Sequence, residues 1–122
     1  MAKRILIVED HKDALLILVL VLRSFGYETI EARTGAEGVE KALFDNPNLI
    51  VMDMSLPDMT GIDAARAIKR NPSTVRLPII AYSAWSTRTW IEQATSAGIA
   101  AYLIKPVSMM LMKETIEKFI LP

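Results

Sequence analysis

Five short segments rich in aliphatic and β-branched residues alternate with stretches long enough to form helices, and this alternation constrains the fold most. The segments are Ile5–Val8, Glu28–Ala32, Leu49–Met52, Ile79–Tyr82 and Ala101–Ile104. Strands that alternate with helices form parallel sheets covered on both faces, and right-handed crossovers allow a doubly wound sheet. A chain of 122 residues is too short for a closed eight-stranded barrel of about 250 residues. We therefore predict one α/β domain over residues 1–122, with a five-stranded parallel sheet.

The stretches between the segments carry start and stop signals of helices. Hydroxyl residues precede four of the predicted helices and are suited to cap them: Thr34, Thr60, either Ser86 or Thr87, and Ser108. Glu37 follows Thr34 at the spacing of a capping box. Gly98 stands after the fourth helix, where a glycine commonly closes the last turn.

Composition and charge exclude several classes of protein. Fourteen basic residues balance fourteen acidic ones, so no overall basic field attracts nucleic acid or anionic lipid. The chain has no cysteine, which excludes disulfides and thiolate metal sites. Its longest unbroken apolar run, Ala14–Leu22, has nine residues, whereas a membrane span needs about 20. We expect a cytoplasmic protein without a membrane span or direct nucleic-acid contact.

Polar, reactive side chains follow four of the five predicted strands where each strand ends. They are Glu9 and Asp10 after the first, Asp53 after the third, Ser83 after the fourth and Lys105 after the fifth. In an open α/β sheet these ends meet at one edge, where ligands bind. Acids this close repel each other and need a cation, and oxygen ligands suit a hard ion such as Mg²⁺. Lys105 and Ser83 then remain free to bind oxygens of a phosphoryl group.

Four motifs resemble the receiver domain of bacterial two-component response regulators, in order and at the expected spacing. They are ILIVEDH, LIVMDMSLPDMTG, PIIAYSAW and AGIAAYLIKPV, and the likeness extends over essentially the whole chain. The resemblance implies a flavodoxin-like fold with strand order 2-1-3-4-5 and a phosphorylation-activated signalling switch. It implies a receiver that catalyses its own phosphoryl transfer and slow autodephosphorylation, rather than an enzyme with a separate substrate.

The same resemblance implies the roles of the phosphoryl-binding residues. Asp53 is the phosphoacceptor and takes the group from a phosphohistidine of a sensor histidine kinase or histidine phosphotransfer protein. Lys105 binds one phosphoryl oxygen, and Ser83 donates a hydrogen bond to another. Tyr102 swings inward as Ser83 moves and changes the face of the last two helices. The Lys105–Pro106 bond is expected to be cis.

The resemblance also implies the ligands of a magnesium ion. Asp10 and Asp53 bind Mg²⁺ directly, together with the backbone carbonyl of Ser55, and Glu9 acts mostly through a water molecule. Trp85, two residues after Ser83, is large for its loop and is placed to shield the acyl phosphate from water.

The first helix, predicted from Lys12 to Phe25, is unusual because its central part is apolar on every side. We predict that Leu15, Leu18 and Leu22 face the sheet, which leaves Ile17 and Val21 outward. In the family that the chain resembles, this helix edge docks the helices that carry the phosphohistidine. The outward face is therefore interpreted as that docking surface or as a homodimer surface.

Three other functions remain as alternatives. A phosphatase of the haloacid dehalogenase type needs a second acid at the position of Ser55, and a flavin carrier needs a phosphate-cradling loop where Glu9 and Asp10 stand. The third alternative is a phosphorylation-independent adaptor, and the presence of Asp53 and Lys105, which such an adaptor does not need, argues against it. The downstream partner is either a separate protein target or an output domain, and the tight fit to one domain favours a stand-alone receiver.

Overall fold

A computed structural model describes residues 2–122 as a doubly wound sheet with helices on both faces. The strands are β1 (Arg4–Val8), β2 (Glu28–Ala32), β3 (Leu49–Met52), β4 (Ile79–Ser83) and β5 (Ala101–Ile104). The helices are α1 (Lys12–Ser24), α2 (Gly35–Phe44), α3 (Gly61–Arg70), α4 (Arg88–Ser96) and α5 (Met109–Phe119). All strand pairs are parallel, in the order β2-β1-β3-β4-β5. The predicted fold class and strand order are confirmed.

The two faces of the sheet are buried by two separate groups of apolar side chains. Alternate residues of each strand point to opposite faces, so Leu6 and Ile50 pack with α2, α3 and α4, whereas Ile5 and Val51 pack with α1 and α5. Burial on both faces explains why β1 and β3 read as unbroken apolar runs. The sheet therefore presents only its edges and the ends of its strands to solvent.

The predicted caps hold at four helices. The side chains of Thr34, Thr60, Thr87 and Ser108 each accept a hydrogen bond from the backbone N–H three residues later. Thr87, not Ser86, is thus the cap of α4. The predicted capping box is altered, because the Glu37 carboxylate accepts from the N–H of Arg33 at 2.9 Å. Glu37 therefore holds the residue before the cap.

Helix α1 differs from its prediction at Val21. Leu15, Leu18 and Leu22 are buried as predicted, with Val19 beside them, but Val21 is half-buried. Residues three apart lie on nearly the same face of a helix, so Val21 stands next to Leu18 at the edge of the buried stripe. Ile17 is exposed as predicted, at 60%, and the other exposed apolar side chains of α1 are Leu16 and Leu20, at 56% and 59%. No helix described between residues 2 and 122 has the length and apolar character to cross a membrane.

Candidate functional site

The carboxyl edge of the sheet gathers the side chains that follow β1, β3 and β5. Sheet-like hydrogen bonds continue one residue beyond these strands. The N–H of Glu9 donates to Ala32 at 3.0 Å, that of Asp53 to Val8 at 2.9 Å, and that of Lys105 to Ser83 at 2.9 Å. The backbone that carries these groups is therefore as fixed as the strands themselves. The Lys105–Pro106 bond that follows is cis.

The centre of the site is a lysine between two carboxylates. The Nζ atom of Lys105 lies 3.0 Å from Oε1 of Glu9 and 3.4 Å from Oδ2 of Asp53. Glu9 is fully buried and Asp53 is 7% exposed, and buried carboxylates are costly unless they are paired. A single cationic group is therefore shared by two acids that come from different strands.

The charge state of Lys105 follows from these contacts. Burial works against its charged form, but the hydrogen bond to Glu9 and the negative charges of Asp53 and Glu9 outweigh burial, so the pKa of Lys105 is raised. The ammonium is consequently a permanent cation at neutral pH. It therefore faces Asp53 as a hydrogen-bond donor.

Asp53 uses its two oxygens differently. Its Oδ1 accepts from the N–H of Ser55 at 3.3 Å, and its Oδ2 contacts Lys105. The loop beyond it is closed by a hydrogen bond of 2.8 Å from Gly61 N–H to Met54 and by a bridge between Ser55 and Thr60. The carboxylate is therefore oriented by its own loop, with a small part of its surface exposed to solvent.

The predicted magnesium ligands are only partly assembled. Asp10 is half-buried in the loop after β1, and its backbone carbonyl accepts from the Arg33 guanidinium at 3.1 Å. Between residues 2 and 122, no three acidic or histidine side chains form a group that would hold a metal ion by themselves. Glu9 and Asp53 do share one cation, the Lys105 ammonium. The predicted donors, the carboxylates of Asp10 and Asp53 and the carbonyl of Ser55, are all oxygen atoms, which suits a hard ion.

Ser83 and Tyr102 meet at the backbone of Trp85. The buried Ser83 hydroxyl accepts from Trp85 N–H at 3.1 Å, and the Tyr102 hydroxyl donates to Trp85 carbonyl oxygen at 2.6 Å. Trp85 also stacks on Trp90, with ring centroids 4.3 Å apart. Burial raises the pKa of Tyr102, as does the charge of Asp53, against the effect of Ser83. One loop residue therefore connects both predicted switch side chains to α4.

Two residues near the site carry no local signal in the sequence. The Asp58 carboxylate accepts from Gly35 N–H at 2.8 Å and from Ala36 N–H at 2.9 Å, which joins the Asp53 loop to the start of α2. These bonds lower the pKa of Asp58. Asp58 stands 22 or 23 positions from its partners, so only the fold reveals the contact.

The second residue is Tyr82. The centroid of its ring lies 4.8 Å from Nζ of Lys105.

Comparisons with known proteins agree on one family. The family model described as the response regulator receiver domain matches residues 5–117. The polar-differentiation response regulator DivK of Brucella ovis is 32% identical over 120 residues, which are 98% of each chain. The receiver domain of a sensor histidine kinase of Pseudomonas aeruginosa, solved with magnesium in its active-site cleft, is 29% identical with a TM-score of 0.91 over 98% of each chain.

The chemotaxis protein CheY4 of Vibrio cholerae shares the fold at 22% identity, with a TM-score of 0.92 over 98% of this chain and 100% of that one. Sheet order and helix placement thus define an α/β domain of the CheY-like class. The sequence matches take this further: the chain belongs to the response regulator receiver domains of two-component signalling.

Proposed function

We propose that this receiver domain, residues 1–122, is a cytoplasmic switch activated by phosphorylation of Asp53. The phosphoryl group comes from a phosphohistidine of a sensor histidine kinase or a histidine phosphotransfer protein. The observation that carries the proposal is the Lys105 ammonium, which lies 3.4 Å from Asp53 Oδ2. Asp53 supplies the attacking oxygen, and beyond that nucleophile phosphoryl transfer needs mainly positioning and charge neutralisation, to which Lys105 contributes.

In the transfer, one oxygen of Asp53 attacks phosphorus and the bond from phosphorus to the imidazole nitrogen breaks. The histidine leaves with the electron pair, and the aspartyl phosphate retains the charge of the phosphoryl oxygens. Lys105 binds one of these oxygens, because its raised pKa keeps it protonated. In slow autodephosphorylation the oxygen of a water molecule attacks the same phosphorus, the bond from phosphorus to the Asp53 oxygen breaks, and inorganic phosphate leaves as the Asp53 carboxylate is restored. Trp85 limits the access of that water.

Magnesium is the proposed cofactor. Asp10, Asp53 and the Ser55 carbonyl would hold the ion directly, and Glu9 would reach it through water. When bound, the ion neutralises charge on the transferring group. The proposal is supported by the carboxylate pair that already shares a cation and by the magnesium in the Pseudomonas receiver domain.

The switch would begin at Ser83. Its hydroxyl oxygen now accepts from Trp85 N–H, and an acyl phosphate on Asp53 would offer the hydroxyl hydrogen a charged acceptor. As Ser83 turns, Trp85 loses a partner on one side while Tyr102 still donates to its carbonyl. Tyr102 then moves inward with the loop, and the surface of α4, β5 and α5 changes for a downstream protein target or output domain.

The exposed apolar side chains of α1 would dock the phosphohistidine partner. Leu16, Ile17 and Leu20 are exposed and lie close together on the helix because Leu20 is three and four residues from the other two. Contiguous exposed apolar residues commonly mark interaction surfaces. A homodimer through the same patch is the second candidate use.

Mass spectrometry after incubation with Mg²⁺ and a small acyl phosphate tests the function. We expect one labile phosphoryl group on the wild-type protein and none on Asp53→Asn or in the presence of a chelator. An unmodified wild-type protein would contradict the proposal. Rapid turnover of many phosphate monoesters would select the phosphatase instead.

A further inference from the structure

Tyr82 has no role in the switch described above, yet its ring lies beneath the ammonium group of Lys105. The Nζ atom of Lys105 is 4.8 Å from the centroid of the ring, within the distance at which an ammonium is attracted to an aromatic face. Tyr82 is half-buried and packs against the apolar group between the sheet and α1 and α5. The ring is therefore fixed by packing before it meets the lysine.

The sheet register explains why these two side chains meet. Tyr82 pairs with Leu103 across β4 and β5, so both point to the same face. Lys105 lies two residues beyond Leu103 and leaves the backbone on that face as well. Ser83, one residue after Tyr82, points to the opposite face. The chain thus supports Lys105 from one side of the sheet and places the Ser83 hydroxyl on the other.

The other contacts of the ammonium are with groups that the phosphoryl chemistry requires. Glu9 and Asp53 hold Lys105 now, but in the proposed function they also serve a divalent ion and the incoming phosphoryl group. A cation near those carboxylates weakens their hold on the lysine by competing for the same charge. The neutral face of Tyr82 does not take part in this competition, so it still attracts the ammonium when the carboxylates are engaged.

From this geometry we infer that Tyr82 is a positioning residue that keeps the Lys105 ammonium directed at Asp53. The ring holds the ammonium by a cation–π contact and covers it from solvent on the side facing α1 and α5. The contact itself is independent of phosphorylation, whereas its effect on rate rests on the proposed function. The two parts are measured separately.

Proton NMR tests the contact in the full chain. Protons above an aromatic ring resonate upfield, so the ε-methylene of Lys105, assigned by its absence in Lys105→Arg, should be displaced from the other lysines. Tyr82→Phe should keep this displacement and Tyr82→Leu should abolish it. Phe25→Leu is the matched control, because it removes another half-buried ring, 5.9 Å from the ammonium of Lys113, and leaves the site intact.

Phosphorylation by a small acyl phosphate with Mg²⁺ tests the consequence. We expect Tyr82→Leu to slow the reaction about fivefold or more, while Tyr82→Phe and Phe25→Leu stay within about twofold of wild type. An ε-methylene signal of Lys105 that is unchanged in Tyr82→Leu would overturn the inference, as would equal rates in Tyr82→Leu and Phe25→Leu. Failure of the wild-type protein to be phosphorylated would contradict the proposed function alone, and the NMR result would still decide the contact.

Discussion

The free-energy cost of burying the two carboxylates at the site depends on their shared contact with one lysine. Glu9 and Asp53 are buried with one shared partner, Lys105, whose side chain is 25% exposed. Removing the shared partner leaves two acids in a site of low polarity, and an unpaired buried charge is more destabilising than the loss of an attraction. A divalent cation bound to Asp53 would interact with the same negative charges as Lys105. Stability and magnesium affinity are therefore coupled at this residue.

We predict that Lys105→Met lowers the free energy of unfolding by about 2–3 kcal/mol without a divalent ion. The same change should tighten Mg²⁺ binding about tenfold, since the competing charge is gone. Urea unfolding with and without Mg²⁺ and calorimetric titration measure these effects. Lys113→Met, on the exposed side of α5, should show neither, and weaker Mg²⁺ binding by Lys105→Met would contradict the competition.

Asp58 yields a prediction on pH dependence. Hydrogen bonds from Ala36 and Gly35 lower the pKa of Asp58 below its ordinary value of 3.8. A lowered pKa contributes stability that is present above 3.8 and is lost as pH falls through the folded-state pKa. Because Asp58 is exposed and solvent screens its charge, Asp58→Ala should lower the free energy of unfolding by only about 0.5 kcal/mol at neutral pH.

The difference between the wild-type protein and Asp58→Ala should vanish in strong acid. Urea unfolding at several pH values measures it, and Asp63→Ala, which removes an exposed acid on the first turn of α3, is the control variant. A difference that persists at low pH would show that the Asp58 carboxylate does not bind α2 by its charge.

The connection from β3 to α3 is the element that orients Asp53. A Cβ added at Gly61 would collide with the backbone carbonyl oxygen of Asp53 and with the methyl group of Met54. Backbone cannot move aside as a flexible side chain can, so glycine is required here by close approach. The loop therefore folds back on the residue that it has to present.

We predict that Gly61→Ala lowers the free energy of unfolding by about 2–3 kcal/mol and slows phosphorylation, because the backbone of Asp53 must shift. Gly26→Ala is the comparison, because an added Cβ at Gly26 meets no heavy atom within 4 Å. The substitution should cost only about 1 kcal/mol, from the backbone strain of alanine at a φ of +94°. Chemical denaturation and mass spectrometry give both quantities. Equal phosphorylation rates in the two variants would contradict the role of the close approach.

The loop from β4 to α4 should report activation by fluorescence. The chain has two tryptophans, and Trp85 and Trp90 stack on each other in this region. We expect phosphorylation to change tryptophan emission, because Ser83 would release Trp85 N–H. Ser83→Ala should be phosphorylated with a much smaller change in emission. A signal of the same size in Ser83→Ala would show that the loop responds by another route.

On the scale of the whole molecule, the apolar patch of α1 separates recognition from chemistry. The patch residues Leu16, Ile17 and Leu20 are exposed and belong to none of the contacts described at the site. Val21 is unsuitable for a test because it is half-buried. We predict that Ile17→Lys with Leu20→Lys slows transfer from a phosphohistidine partner about tenfold or more. Transfer from a small acyl phosphate should stay unchanged.

Phe44→Lys is the matched control, since Phe44 is 71% exposed at the end of α2 and lies on a different helix. Its rates with both donors should equal those of the wild-type protein. Equal slowing of both donors by the α1 variant would contradict docking. Sedimentation of the same variants reports the homodimer, which the α1 substitutions should disrupt if the patch joins two copies.

The sequence by itself determined the elements and their order, because apolar periodicity, caps and glycine stops are local properties of neighbouring residues. It also identified which residues leave the strands at the reactive edge, since that edge follows from parallel topology. Only the tertiary structure decided which side chains touch there. The pairing of Lys105 with both Glu9 and Asp53, the ring of Tyr82 beneath it and the reach of Asp58 to α2 join residues from different elements. Such contacts depend on sheet register and loop closure, which no local pattern encodes.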